Sequence, residues 1–416
     1  MARKEAGLPA GTRLTDHISL GVVAKYFPQA TVDRILLETG RGSVRNRLLP
    51  ARVMTYYAIA MALHMGVGCR EVLRCLLEGL QWLRGLAEAP RQAATRGAIA
   101  QARERLGVEP VRRLHDEVVV PLAVRGPAAT TRGAWYRHWR LVSLDGSTLD
   151  VADTASNAAA FGRPGTSRGE SAYPQIRFVS LVENGTHALL SSRMGGYHSS
   201  EAELTQEVLP WLKAGMLCLG DRNFFSYNRW QSARQRGADL LWRVKKNLKL
   251  PCLKRLADGS YLSKIYPSEK ARRHDEQGVE ARVIEYQLVD VPDAEPRYCS
   301  LTTILDPALA PSDELAPLYH ERWEIETALD EFKTHLRGAQ IVLRSKTPDL
   351  VRQEFYAFMM AHYAVRGLMH EAALKADVDP DRLSFTHTVR VIRRKAPQAG
   401  AIPPSGFAAL ASEGAR

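Results

Sequence analysis

A chain of 416 residues, 45% hydrophobic and 25% charged, is long enough for two or three domains and has the composition of an ordinary globular protein. Lysine and arginine number 57 against 45 acidic residues, and the net charge of +12 favours a polyanionic partner without specifying one. Five cysteines with no C-x-x-C pair or Cys/His cluster argue against a zinc site or disulfide framework, no signal peptide is evident, and the longest apolar run, Met54 to Met65, is too short to span a bilayer.

Residues 1–14 are polar with Gly and Pro, the composition of a flexible tail. From Thr15 to Arg125 the apolar spacing predicts only helices: Leu20 to Tyr26, Thr31 to Thr39, Pro50 to Met65, Cys69 to Leu80, Arg96 to Leu106 and Pro110 to Val124. Pro50 suits a first helical position, and Gly66, Gly79 and Gly107 suit helix ends. The arginines of this segment, among them Arg41, Arg52, Arg70, Arg74, Arg96, Arg103 and Arg105, fit a domain that docks on DNA phosphates. They fit a helical scaffold with a solvated basic surface as well. Residues 126–137 read as a linker.

Strand signals begin beyond it. Arg140 to Asp145, extended to Val151, is a first strand; residues 158–174 are a Gly/Ser/Arg loop in which Arg163 or Arg168 could meet phosphates. Gln175 to Val182 and His187 to Met194 flank Asn184-Gly185, a strong hairpin signal. Then follow a helix (Glu201 to Lys213), a strand (Met216 to Gly220), a helix (Tyr227 to Arg236) and a strand (Asp239 to Val244). Three antiparallel strands, helix, strand, helix, strand is the ribonuclease H-like order, an α/β core with a mixed sheet. Residues 246–300 show weak strand signals, read as an inserted β-rich subdomain entered through the basic residues Lys245 and Lys246.

One amphipathic helix is predicted to end at Gly338 and to start at Ser312, or else at Pro317 as its first helical residue. At about 100° per residue, Tyr319, Arg322, Glu326 and Lys333 share a stripe, while Glu324, Glu331, Thr334 and His335 face solvent. Periodicity alone leaves Asp330 nearly as well placed as Glu326. Leu350 to Ala373 reads as a long amphipathic helix, and the tail from residue 381 is basic. Two apolar runs, LVSLD and MLCLGD, each deliver an aspartate to a strand end, Asp145 and Asp221. Three carboxylates from two strands and a helix are the oxygen ligands that a pair of Mg²⁺ ions takes.

These residues carry a family resemblance. Tyr319, Arg322, Glu326 and Lys333 have the spacing Y-x2-R-x3-E-x6-K, which resembles the signature of bacterial DDE transposases of the insertion-element-four (IS4) type. Asp221-Arg222-Asn223-Phe224 is similar to that family's D-R-x-F, Leu144-Asp145-Gly146-Ser147 matches its first aspartate, and residues 41–80 are similar to its N-terminal region. The resemblance implies a catalytic and metal-binding trio of Asp145, Asp221 and Glu326, with two Mg²⁺ ions or Mn²⁺ as a substitute. It implies DNA contacts by Tyr319, Arg322, Lys333 and Arg222, and Trp323 could stack a displaced base if a hairpin intermediate forms, with core packing as the other reading. Independently of the resemblance, the basic run at Lys245 and Lys246 could track a DNA backbone or be a solvated charge run.

The organisation expected is therefore a tail (1–14), a helical DNA-binding domain (15–125), a linker (126–137), a catalytic domain (138–380) and a basic tail (381–416). The activity implied is cleavage at element ends and 3′-OH strand transfer into target DNA, by a homodimer on DNA in the bacterial cytoplasm, at the nucleoid and with no membrane. Two other readings stay open: a transposase-derived DNA-binding protein whose chemistry is unused, and a nuclease without strand transfer.

Overall fold

Apolar spacing in the N-terminal part yields helices near the expected places: Ile18–Tyr26, Gln29–Glu38, Ala51–Leu63, Cys69–Leu83, Arg96–Leu106 and Glu109–Val118. The computed structural model describes residues 18–43, 49–83, 94–166, 169–170, 173–287, 297–338 and 342–394. The expected tail 1–14, Arg168 and the stretch from 395 onward lie outside them. The chain divides into two units, residues 1–120 with 331–416, and residues 121–330. Residues 331–380, which the sequence groups with the acidic trio, fall in the first.

In that first unit Ala51–Leu63 and Glu109–Val118 pack on the 29-residue helix Pro348–Ala376. Between Leu350 and Ala373 all of its residues except Arg352 and Glu371 are buried. A helix apolar on every side is an interior helix, which corrects the amphipathic expectation. Two of the polar groups packed against it show how charge is held there. Arg366 holds Glu331 through two bonds of 2.8 and 2.5 Å. Arg103, offered by the sequence for phosphates, is buried instead, bonded to Gln353 (2.8 Å), Ser345 (3.0 Å) and the Leu350 carbonyl (3.1 Å).

The second unit is α/β. Its strands, in chain order, are β1 (Trp135–Tyr136), β2 (Trp139–Asp150), β3 (Gly165–Thr166), β4 (Gly169–Glu170), β5 (Gln175–Glu183), β6 (Ala188–Gly196), β7 (Met216–Gly220), β8 (Asp239–Arg243), β9 (Lys254–Arg255), β10 (Tyr261–Ile265), β11 (Val279–Tyr286) and β12 (Tyr298–Thr302). Among the described residues, ten of them form one mixed sheet in the order β6-β5-β2-β7-β8-β12-β11-β10-β9, with β1 on β2. β7 lies parallel to β2 and to β8, and the other pairs are antiparallel. The strands between β8 and Ser312 extend this sheet: β12 pairs with β8 and satisfies the backbone groups that an edge strand would leave open. Helices Glu201–Val208 and Tyr227–Arg234 connect β6 to β7 and β7 to β8, capped by Ser200 and Ser226. Leu141 of β2, Leu217 and Leu219 of β7 and Leu241 of β8 form a core with Ile284, Leu315 and Tyr319.

The expected single helix from Ser312 is four segments: α-helix Ser312–Leu318, a 3-10 turn Tyr319–Trp323, α-helix Glu324–Asp330 and a π-turn Glu331–Leu336. Pro317 lies inside the first segment and has no N–H to give, so the next turn tightens. The π-turn changes the angular step once more, and Glu331, expected in solvent, is buried against Arg366.

Candidate functional site

Strand register brings the two aspartates together. Leu144 of β2 lies opposite Gly220 of β7, so Asp145 and Asp221, one residue further on, follow a paired couple on strands about 4.8 Å apart. β7 is buried throughout, as a central strand should be. Gly220 has no room for a side chain, since a Cβ there would lie 2.9 Å from Cδ1 of the buried Trp242. Past Asp221 the chain turns at once, with Phe224 N–H donating to the Asp221 carbonyl (3.0 Å) and the Phe224 ring in the core. The D-R-x-F motif thus reads physically as an aspartate, an exposed Arg222 and an aromatic anchor for the turn.

Glu326 comes from the segment Glu324–Asp330 of the same unit, with its side chain 50% exposed. Arg322, one turn earlier and nearly buried, stands between two carboxylates: Nη1 is 3.5 Å from Asp145 Oδ2 and Nη2 is 3.7 Å from Glu326 Oε1. Asp145 accepts a 2.8 Å bond from the Gly146 N–H. Burial pushes its carboxyl up to about 6; the Gly146 N–H and Arg322 act the other way, while the charges of Glu326 and Asp221 raise it further. Asp145 therefore feels the charge of both other carboxylates. Such a set offers oxygen ligands only, the donors that Mg²⁺ and Mn²⁺ take, and its mutual repulsion is what a divalent cation relieves.

The other predicted residues are placed as follows. Tyr319 is buried in the core and its hydroxyl points to the Gly220 carbonyl at 3.4 Å, beside Asp221. Trp323 is 54% exposed, with the Arg322 guanidinium 5.1 Å from its ring centre. Lys245 and Lys246 are exposed and line a cavity of about 210 Å³ with Tyr261, Glu285 and Arg297. Lys333 lies in the π-turn of the first unit. The sequence shows Asn184-Gly185 only as a turn, yet Asn184 Nδ2 donates to the Glu321 carbonyl (2.7 Å) and the Gly185 N–H donates to the Glu324 carboxylate.

Residues 17–116 match the model of the insertion element 4 transposase N-terminal region, and residues 139–363 match that of the transposase DDE domain. The chain is 28% identical over 388 residues to the transposase InsG for insertion sequence element IS4 of Escherichia coli (strain K12), an alignment covering 89% of this chain and 81% of that one. It is 25% identical over 225 residues to the putative transposase InsZ of the same strain, across 54% of this chain and 71% of that one. Among solved structures, a piggyBac transposase synaptic complex with hairpin DNA aligns over 95% of this chain and 84% of that chain, at 12% identity and a TM-score of 0.43.

Proposed function

The chain belongs to the DDE transposases of the insertion-element-4 type, and from that we propose that it cuts DNA at the ends of its element and joins the freed 3′-OH to target DNA, with Asp145, Asp221 and Glu326 as its catalytic, metal-holding residues. One observation carries the assignment: Arg322 lies between Asp145 and Glu326, and the charges of Asp221 and Glu326 both act on Asp145. The strand order, with the first three antiparallel strands flanked by two parallel ones, supports a ribonuclease H-like core. In this reading β9 to β12 are the inserted β-rich part and the N-terminal helices are the DNA-binding domain.

Two Mg²⁺ ions, or Mn²⁺ in their place, supply Lewis-acid stabilisation of the attacking and departing oxygens of a phosphodiester. The chain's own part is to hold them and to orient the nucleic acid. Asp145, Asp221 and Glu326 would hold them through carboxylate oxygens. Arg322 offers a fork of N–H donors to a phosphate next to the scissile bond and Lys333 a point charge. Arg222, Lys245 and Lys246 follow the backbone, and Trp323, exposed beside Arg322, stacks a displaced base. The acting species is a homodimer on the paired ends, in the bacterial cytoplasm at the nucleoid.

The test is cleavage of a duplex carrying the element's ends. Asp145→Ala, Asp221→Ala and Glu326→Ala are each expected to abolish Mg²⁺-dependent cutting while DNA binding persists. Continued cutting by any one of them removes that residue from the site. A supplied 3′-OH end should give joined products with the wild type. Hydrolysis alone would make the chain a nuclease, and binding without cutting a DNA-binding derivative.

A further inference from the structure

We propose that Asn184 is a positioning residue that fixes the separation of Asp145 from Glu326; the proposal rests on the two-ion reading of that trio. Asn184 is fully buried, and each of its polar groups except its carbonyl is committed either to β2, which carries Asp145, or to the turn that leads into the Glu326 helix. Its backbone N–H donates to the Leu141 carbonyl of β2 (3.1 Å), and its Oδ1 accepts from the Ser143 hydroxyl (2.8 Å). Its Nδ2 donates to the Glu321 carbonyl (2.7 Å).

Residues two apart on a strand share a face, so Ser143 lies on the face of β2 that presents Asp145. Glu321 lies five residues before Glu326, in the 3-10 turn that leads into its helix, and its carbonyl also accepts the N–H of Glu324. A carbonyl has two lone pairs, and both are used. The amide is therefore a strut between strand and helix, with an acceptor at one end and a donor at the other. The Gly185 N–H, bonded to the Glu324 carboxylate, braces the same helix from the next residue.

No other residue type of this size does both jobs. Aspartate keeps the acceptor for Ser143 and lacks the donor for Glu321, and leucine lacks both. Ions held between oxygens on separate elements need those oxygens fixed within about 0.5 Å. Partners one step behind metal ligands alter affinity by about 10–100-fold when removed.

The experiment is a titration of the full, DNA-free chain with Mn²⁺ alone, followed by the paramagnetic resonance of the free ion, for the wild type, Asp145→Ala, Asn184→Asp and Ser143→Ala. Duplex binding without divalent ion and thermal unfolding are measured alongside. Asn184→Asp is expected to weaken Mn²⁺ binding about tenfold or more, with duplex affinity and its salt dependence unchanged. Ser143→Ala, which cuts the strand end of the strut at little cost in volume, is expected to weaken Mn²⁺ binding by a smaller factor, and it carries the test should Asn184→Asp fail to fold. A folded Asn184→Asp with wild-type Mn²⁺ affinity overturns the positioning role, as does a Ser143→Ala that binds like wild type. A wild type that binds Mn²⁺ no better than Asp145→Ala overturns the two-ion reading, and this proposal with it.

Discussion

Asp145 shows what a partly buried carboxylate costs a fold that keeps it. Its carboxyl, 24% exposed, sits at about 6 instead of 3.8, so between those values the folded chain binds a proton that the unfolded chain has released. Stability tied to this group is fully present below about 3.8 and is lost as pH rises through about 6. The difference is worth at most about 3 kcal/mol. Asp145→Asn is therefore expected to raise the unfolding temperature of the metal-free protein at neutral pH while abolishing cleavage. A lower unfolding temperature would show that the carboxylate is already compensated. The same ionisation sets a second expectation: Mn²⁺ affinity falls as pH drops through about 6, because the protonated carboxyl is no ligand. A flat profile across that range would mean that Asp145 does not bind the ion.

At the scale of elements, turns hold the site as firmly as strands do. Gly185 has φ +74°, and a Cβ there would lie 2.6 Å from Ala134 N and 2.7 Å from Arg132 O, both backbone atoms. Gly185→Ala is expected to destabilise by about 2–4 kcal/mol in denaturant unfolding; a loss below about 1 kcal/mol would mean that the loop yields. The strands were legible because apolar alternation and the Asn184-Gly185 pair mark them, and both aspartates because each ends an apolar run. Two features were not. Asn184 reads as a turn residue because only the folded chain brings Glu321 to its amide. Glu331 reads as solvent-facing because a regular helical step was assumed through Pro317 and the π-turn, and each breaks that step.

At the scale of the whole molecule, the excess of positive charge predicts DNA binding that weakens steeply with salt. Lys245 and Lys246 stand exposed at the entry to the β9–β12 region. Replacing both with alanine is expected to reduce the slope of log K against log salt by about 1.8, two phosphate contacts at about 0.9 each. An unchanged slope would remove them from the DNA. Net charge was legible in composition, but its distribution was not. Arg103 counts towards the total yet lies buried, because its partners Gln353, Ser345 and Leu350 are some 250 positions away in the chain.

β12 is the partner of β8, and the segment bearing Glu326 follows β12 in the chain. Pairings between distant stretches are the slow part of folding, and the segment bearing Glu326 leaves the ribosome after both aspartates. A nascent polypeptide on the ribosome thus holds both aspartates without their third companion. Under the proposed chemistry the trio cannot assemble, and no pair of ions can be held by it, before synthesis has passed residue 326.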